Sequence, residues 1–391
     1  MKKIARFLSV LFIAVLSSIS IKAGDIEDAI YFSLRGLPPI PVDKSNYFQQ
    51  NPDAIRFGGK LFFDTDFSFS GDVSCASCHF TNSRFIANES IPAGQSRNFR
   101  TVMQITGAAY NRFYFWDGRI DSLWAQALEP IEHPDEHNLQ RHEAVKYVVS
   151  KYAKDLDTLM AQSDGYQKHL MLVHHWLTSQ NQSLPIESIN HVFALIGKCL
   201  AAYQASLPID RTMWDEVAIA KINNQPLTPM QEKIWQGFKI FTGKGRCSVC
   251  HDGPLFTDFS FHNTAMPTVS VLGIEVGRYG VLPEIQDLEF GCHSIYSDAG
   301  EDDCLHLKYL NKGIEENFGA FKTPTLRGIN NKTRFGHAGQ FSSLKAMIEH
   351  YNVPPIGAHG KLINQQSLSE LQPLSLTEQE KGHLITFLEA L

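Results

Sequence analysis

Beyond its first two dozen residues the sequence has no apolar run long enough to cross a bilayer. Basic residues are outnumbered: 35 Lys and Arg stand against 41 Asp and Glu, a formal net charge of −6, which argues against a nucleic-acid ligand. Strand signals are few. Neither of the two C-x-x-C pairs sits in a βαβ pattern, which argues against a thioredoxin-like redox pair. Cysteine is sparse as well, seven in 391 residues, and none comes directly after the leading apolar run; a lipid anchor has no attachment point there.

What is present at the N-terminus reads as an export signal. Lys2, Lys3 and Arg6 precede an apolar stretch from Phe7 to Ile21, and Ala23 offers a small residue for cleavage. Residues 1–23 are therefore expected to be removed, leaving a mature periplasmic chain from Gly24 with no stable membrane insertion. Losing Lys2, Lys3, Arg6 and Lys22, and no acidic residue, takes the charge to about −10. Such a surface attracts basic partners, although solubility alone accounts for it equally well.

Two copies of one motif organise the rest. Cys75-Ala76-Ser77-Cys78-His79 recurs 172 positions later (247 minus 75) as Cys247-Ser248-Val249-Cys250-His251. C-x-x-C-H is the attachment signature of c-type haem: two thiols reach one porphyrin edge, and the adjacent His donates a ring nitrogen to iron. A tetrahedral zinc site would need four converging ligands, whereas each pair here lies in its own half of the chain. The motifs imply two covalent haems, ligated by His79 and His251. Of the other cysteines, Cys292 and Cys304 bracket a polar loop and are candidates for a disulfide, with two free thiols as the alternative. Cys199, in an apolar run, reads as a buried inert thiol.

The surrounding pattern is mainly α. Residues 24–50, Pro-rich around Leu37-Pro38-Pro39-Ile40-Pro41, read as an extended lead-in. Asn51-Pro52-Asp53 opens a helix over Ala54–Phe62, with Gly58 and Gly59 allowing close packing, and Thr228-Pro229 opens another over Met230–Phe241. Each leads through a short loop into a haem motif. Glu143–Met160 and Glu187–Ser206 carry apolar residues at helical spacing, and Thr377–Leu391 is an amphipathic helix behind a capping Thr. The expected architecture is two cytochrome-c-like domains, 24–208 and 209–391, each with one covalent haem and divided at Leu207-Pro208-Ile209-Asp210.

The residues downstream of the two motifs make the two irons unequal. From Phe80 to Arg100 there is no His, Met or Cys; Met103 reads as a core residue. The first haem is therefore expected to keep an open position, suited to binding a small oxidant. Phe115-Trp116-Asp117-Gly118-Arg119 comes next, then Gln126, Pro130 and Pro134-Asp135-Glu136. Pro134 at a helix start would place Glu136 in the first turn, where an acidic residue ordinarily just complements the dipole. His133, His137 and His142 with Asp135 suggest a metal, but Pro134 intervenes between the first two, which disfavours it.

Taken together, the two C-x-x-C-H motifs, Trp116-Asp117-Gly118-Arg119, the Gln126…Pro130…Glu136 spacing and Phe321-Lys322-Thr323-Pro324-Thr325-Leu326-Arg327 resemble the bacterial di-haem cytochrome c peroxidase and MauG family. The resemblance covers essentially the whole mature chain. It implies that Glu136 is the distal acid–base residue, Gln126 a distal polar residue, Pro130 part of the distal wall, and Trp116 the aromatic between the haems; for Trp116 a packed core aromatic is a compatible reading. It also implies a sixth ligand on the second haem fourteen residues after the His of Phe335-Gly336-His337. That residue is Tyr351 rather than a Met, which looks like the MauG branch; Met347, one turn earlier, and His350, His262 or Met266 are alternatives. The family's interhaem calcium site uses an Asn and carbonyls of a Thr-x-Pro; the chain has Asn98, three residues out of step, and Lys332-Thr333-Arg334, so calcium is doubtful. A surface Trp two residues before the second motif is replaced by Gly245, leaving Trp214 and Trp235 as other exit points for oxidising equivalents, against core packing for each.

The implied function is activation of hydrogen peroxide at the first haem, with oxidising equivalents shared through Trp116 with the second. Two roles are compatible with this: a MauG-like oxidation of a protein substrate, or a conventional peroxidase drawing electrons from a small cytochrome c or cupredoxin. A non-catalytic di-haem electron carrier is the reading from another class; it would want both irons six-coordinate and no distal Glu.

Overall fold

The computed structural model describes residues 23–79, 100–161, 164–179, 183–269, 275–300, 302–355, 369 and 371–391. The export signal up to Lys22, and Asn98, lie outside the described residues.

The chain is mainly helical. Its elements are α1 (Ala23–Tyr31), α2 (Pro52–Phe62), α3 (Cys75–Cys78), α4 (Leu123–Glu132), α5 (Arg141–Lys151), α6 (Ala153–Met160), α7 (Asp164–Thr178), α8 (Ile186–Ser206), α9 (Met213–Ile222), α10 (Pro229–Thr242), β1 (Phe261–His262), α11 (Leu305–Lys308), α12 (Ile314–Asn317), β2 (Phe321–Lys322), α13 (Leu344–Asn352) and α14 (Glu378–Leu388). β1 and β2 pair antiparallel, Phe261 opposite Lys322 and His262 opposite Phe321.

Two apolar cores form. The first gathers α2, α4, α5 and α7 around α8, whose Val192, Phe193, Leu195 and Ile196 are fully buried; a helix enclosed by neighbours is apolar on every side. The second packs α9, α10, α13 and α14, with Trp214, Phe238, Phe241 and Phe387 at its centre. Each core uses the same device. A Cβ on Gly58 in α2 would lie 1.9 Å from the Cys199 carbonyl oxygen of α8, and one on Gly237 in α10 would lie 2.1 Å from that of His383 in α14. So the helix leading into each haem motif lies in backbone contact with a long partner, which fixes where each motif begins.

Local chemistry sets the helix starts. Asn51 caps α2 by accepting from the Asp53 and Ala54 amides, and Thr228 and Thr377 form capping boxes with Gln231 and Glu380. Three expectations are corrected. The segment expected to be extended begins with α1, which packs on α9 through Ala29 and Phe32; this contact joins the start of the chain to the second core. Glu143–Met160 is two helices broken at Tyr152 rather than one. Pro134–His137 is a turn, not a helix: α4 ends at Glu132, His133 turns extended, and Asn138 takes a positive φ of 53°.

Buried charge ties remote segments together. Lys198 on α8, fully buried, donates to Asp298 Oδ2 at 2.7 Å and to the Tyr296 carbonyl at 2.7 Å, which pins the Cys292–Cys304 loop, closed by a disulfide, onto the first core. Arg327 makes a two-pronged pair with Asp215, 2.8 and 3.1 Å, while the amides of Leu34 and Thr212 donate to the same carboxylate. Burial alone would raise the Asp215 pKa, but these bonds and the Arg327 charge hold it below the usual carboxylate range. The carboxylate therefore stabilises the fold above the ordinary Asp range, and this contribution is lost as pH falls through the lowered value. Asp215→Asn strands a buried guanidinium and should cost about 3–5 kcal/mol. A chemical denaturation midpoint unchanged from wild type would show the pair to be structurally idle.

Candidate functional site

The first haem motif is the four-residue helix α3, capped by Ser74 and held at its rear by Phe62, whose ring centroid lies 6.4 Å from that of His79. Burial pushes the Cys75 thiol up to about 12 and the Cys78 thiol up to about 11, and in both cases the second cause is the negative charge of Glu136. Glu136 thus lies within electrostatic reach of both attachment cysteines. Its own pKa is raised by burial and moderated by His133 and Arg119. His133 Nδ1 is 3.9 Å from Glu136 Oε1.

His137 fixes this turn, a role the sequence did not signal. Its Nδ1 donates to the Phe67 carbonyl, Nε2 lies 3.8 Å from Cys75 Sγ, and burial keeps the ring neutral. The residue after Glu136 is therefore fastened to the Phe67 backbone and lies against the sulfur of the haem motif. Gln126 and Pro130 lie on α4, one turn apart and half-buried. Arg119 lies over the Phe115 ring, 3.5 Å from its centroid, and bonds Asp117 and Glu129, which joins the Trp116 loop to α4.

Trp116 is buried between the halves. Its Nε1 donates to the Thr101 carbonyl at 2.7 Å, and its own carbonyl accepts from the Lys322 amide at 2.8 Å. Lys322, also buried, donates Nζ to Asn111 Oδ1 at 2.9 Å and the Phe113 carbonyl at 3.0 Å. Beside them His337 stacks on Phe321 with centroids 3.7 Å apart and bonds Glu275, which also pairs with Arg100.

Trp116 lines a large cavity that also receives Cys247, Cys250, His251, Met347 and Tyr351. His251 Nδ1 donates to the Phe256 carbonyl at 2.9 Å, which leaves Nε2 as the lone-pair nitrogen for a metal. Burial lowers its pKa, so the ring is neutral, the form a metal requires. Burial also pushes the Cys247 thiol up to about 12; an uncharged thioether suits such a wall. The donor set and cavity fit a haem held by Cys247, Cys250 and His251.

Among the alternatives for the opposite side, His350 Nε2 donates to the Thr264 carbonyl at 2.8 Å and is engaged. His262 Nε2 bonds Asp258 Oδ2 at 2.7 Å and is engaged by that carboxylate. Met266, Met347 and Tyr351 all line the cavity. Tyr351 stands apart: burial and the nearby Cys247 and Cys250 push its phenol pKa up, while a bond to Thr264 works the other way. A ferric cation at that oxygen would reverse the sign. Trp214 and Trp235 are buried and stacked in the second core, centroids 6.2 Å apart; they do not line the cavity.

Paired thiols, each adjoining a His and each set against a helix in backbone contact with its partner, define a two-haem c-type protein. A model of the di-haem cytochrome c peroxidase family matches residues 52–223. The methylamine utilization protein MauG of Methylorubrum extorquens is 29% identical over 361 residues, covering 90% of this chain and 81% of that protein. Cytochrome-c peroxidase IdrP1 of Denitromonas iodatirespirans is 27% identical over 383 residues, covering 97% and 90%. The fold matches the crystal structure of the diheme peroxidase BthA from Burkholderia thailandensis with a TM-score of 0.63 at 18% identity, over 89% of this chain and 88% of that one. The chain is similar over most of its length to di-haem cytochrome c peroxidases and MauG proteins, and it is an oxidoreductase with two c-type haems. Replacing Cys247 and Cys250 together by Ala should leave one covalent haem in place of two, read by intact mass; retention of both would refute attachment at this motif.

Proposed function

We propose that the protein is a MauG-like, periplasmic enzyme that activates hydrogen peroxide at the haem of Cys75, Cys78 and His79 and shares oxidising equivalents with the haem of Cys247, Cys250 and His251. The two haem domains of this reading are 24–208 and 209–391. The observation that carries it is an asymmetry: Glu136 is coupled to the first cysteine pair, whereas Tyr351 lines the cavity of the second.

The haem supplies, when bound, the redox chemistry that reduces peroxide. Cleaving the O–O bond also needs a proton removed from one oxygen and delivered to the other. Glu136 is suited to both transfers because burial raises its pKa above that of an exposed carboxyl, while His133 and Arg119 act in the opposite direction. Gln126 and Pro130 line the distal side, Gln126 as a hydrogen-bonding group and Pro130 as wall. Trp116, held by Thr101 and Lys322, bridges the halves as relay. Tyr351 would hold the second haem together with His251, and an anionic oxygen ligand there would favour the oxidised state. This makes the second haem a store for an oxidising equivalent and a poor acceptor of electrons. Calcium has no part in this reading. The physiological partner is then a protein substrate; a small cytochrome c or cupredoxin donor belongs to the conventional peroxidase, which Met347 as ligand would favour.

The resting diferric protein should show one high-spin and one low-spin haem, and peroxide should oxidise it by two electrons without prior reduction. Two low-spin haems would favour the electron carrier, and a requirement for half-reduction the conventional peroxidase. Glu136→Gln should slow the reaction with peroxide by about 10²–10⁴-fold with both haems retained. Tyr351→Phe should abolish the low-spin signature of the second haem; if that signature persists, Met347 becomes the ligand to test.

A further inference from the structure

Lys332 is a cation of the second haem cavity with, among the described residues, one acceptor for its three donors. It lines the wall shared with Thr101, Trp116 and Lys322. An ammonium carries three N–H donors, and the acceptor of this one is the Val102 carbonyl, 3.2 Å from Nζ. Lys322, on the same wall, contrasts with it: its ammonium is turned away onto Asn111 Oδ1 and the Phe113 carbonyl. Burial pushes Lys332 down to about 8, the cost that a nearby anion would remove. The anionic groups of a c-type haem outside its iron centre are its two propionates.

We propose that Lys332 Nζ is the counter-ion and hydrogen-bond donor to a propionate of the second haem. A charge-assisted bond of this kind is about twice as strong as a neutral one, and it satisfies a donor that Val102 leaves open. The same ammonium holds Val102, next to Thr101, whose carbonyl accepts from Trp116 Nε1. Haem carboxylate, Lys332, the 101–102 backbone and Trp116 thereby form one hydrogen-bonded series across the junction between the halves, so that Lys332 acts as a positioning residue for Trp116 as well as a partner for the haem. The inference rests on the second haem and not on Tyr351 or Glu136.

The test compares Lys332→Met and Lys332→Arg with wild type in the two-haem protein. Removing a fixed positive charge beside the porphyrin favours the ferric form, so Lys332→Met should lower the midpoint potential of the second haem and shift its propionate bands in the resonance Raman spectrum. Lys332→Arg should restore both toward wild type. Covalent haem content by intact mass and the high-spin signature of the first haem should not change, which separates this result from failure of the peroxidase reading. An unchanged potential with unchanged propionate bands in Lys332→Met would overturn the proposal. So would a potential that moves while the propionate bands stay fixed, since Lys332 would then act through charge alone.

Discussion

The hydrogen bond from the Lys322 amide to the Trp116 carbonyl, 2.8 Å long, ties the Trp116 loop to the wall of the second cavity at the centre of the contacts between the N-terminal and C-terminal parts of the chain. β2 is only two residues, and its partner β1 is no longer; so short a ladder has little stability of its own. Its worth lies in position. It clamps the Trp116 loop against the second haem cavity, and the Lys322 side chain repeats the clamp from the other side at Asn111 and Phe113. The ammonium is buried, and burial pushes its pKa down to about 7. A buried lysine without these acceptors would be strongly destabilising, so the loop conformation and the lysine conformation each require the other.

Around this junction the cavity chemistry divides. A carboxyl group, Glu136, stands near the first motif, and a phenol, Tyr351, lines the cavity of the second. Glu136 is placed by a turn rather than a helix, and the turn is fastened by His137 to Phe67 and Cys75. The amides of His137 and Leu139 also donate to the Pro130 and Ile131 carbonyls of α4, so the turn is placed against both the haem motif and the helix bundle. Tyr351 and Met347 sit one turn apart on α13 and both line the cavity, which gives the second site two ligand types on one helix.

Helix starts were legible in the sequence because they are decided within four residues: Asn51, Thr228 and Thr377 each cap with their own side chains. The haem motifs were legible for the same reason. What was not legible depends on partners far along the chain. Residues 23–31 are helical because Ala29 and Phe32 find the second core, about 200 positions away, and nothing local in a Pro-rich lead-in signals that. The turn at Pro134 depends on His137 reaching Phe67, 70 positions upstream. Lys332 reads in sequence only as a departure from a motif; its chemistry emerges when the cavity brings it to Val102.

The charges around the second cavity oppose one another, and magnitude decides which dominates. An anionic Tyr351 oxygen, were it to ligate the iron as proposed, would favour the ferric state, whereas a cation on the cavity wall favours the ferrous state. At an effective dielectric of about 20, a unit charge contributes about 4 kcal/mol at 4 Å and about half that at twice the distance. A directly bonded ligand acts at the shortest distance available and through the bond as well, so in the proposed reading the tyrosine would set the resting oxidation state and the wall cations would only trim it. The trimming still matters where Trp116 is the relay, because a hole on its indole is disfavoured by nearby positive charge. Neutralising Lys332 with a haem carboxylate removes part of that penalty at the place where the equivalent has to cross. The geometry that seats the cofactor and the electrostatics that let charge pass between the haems are then the same hydrogen-bonded series.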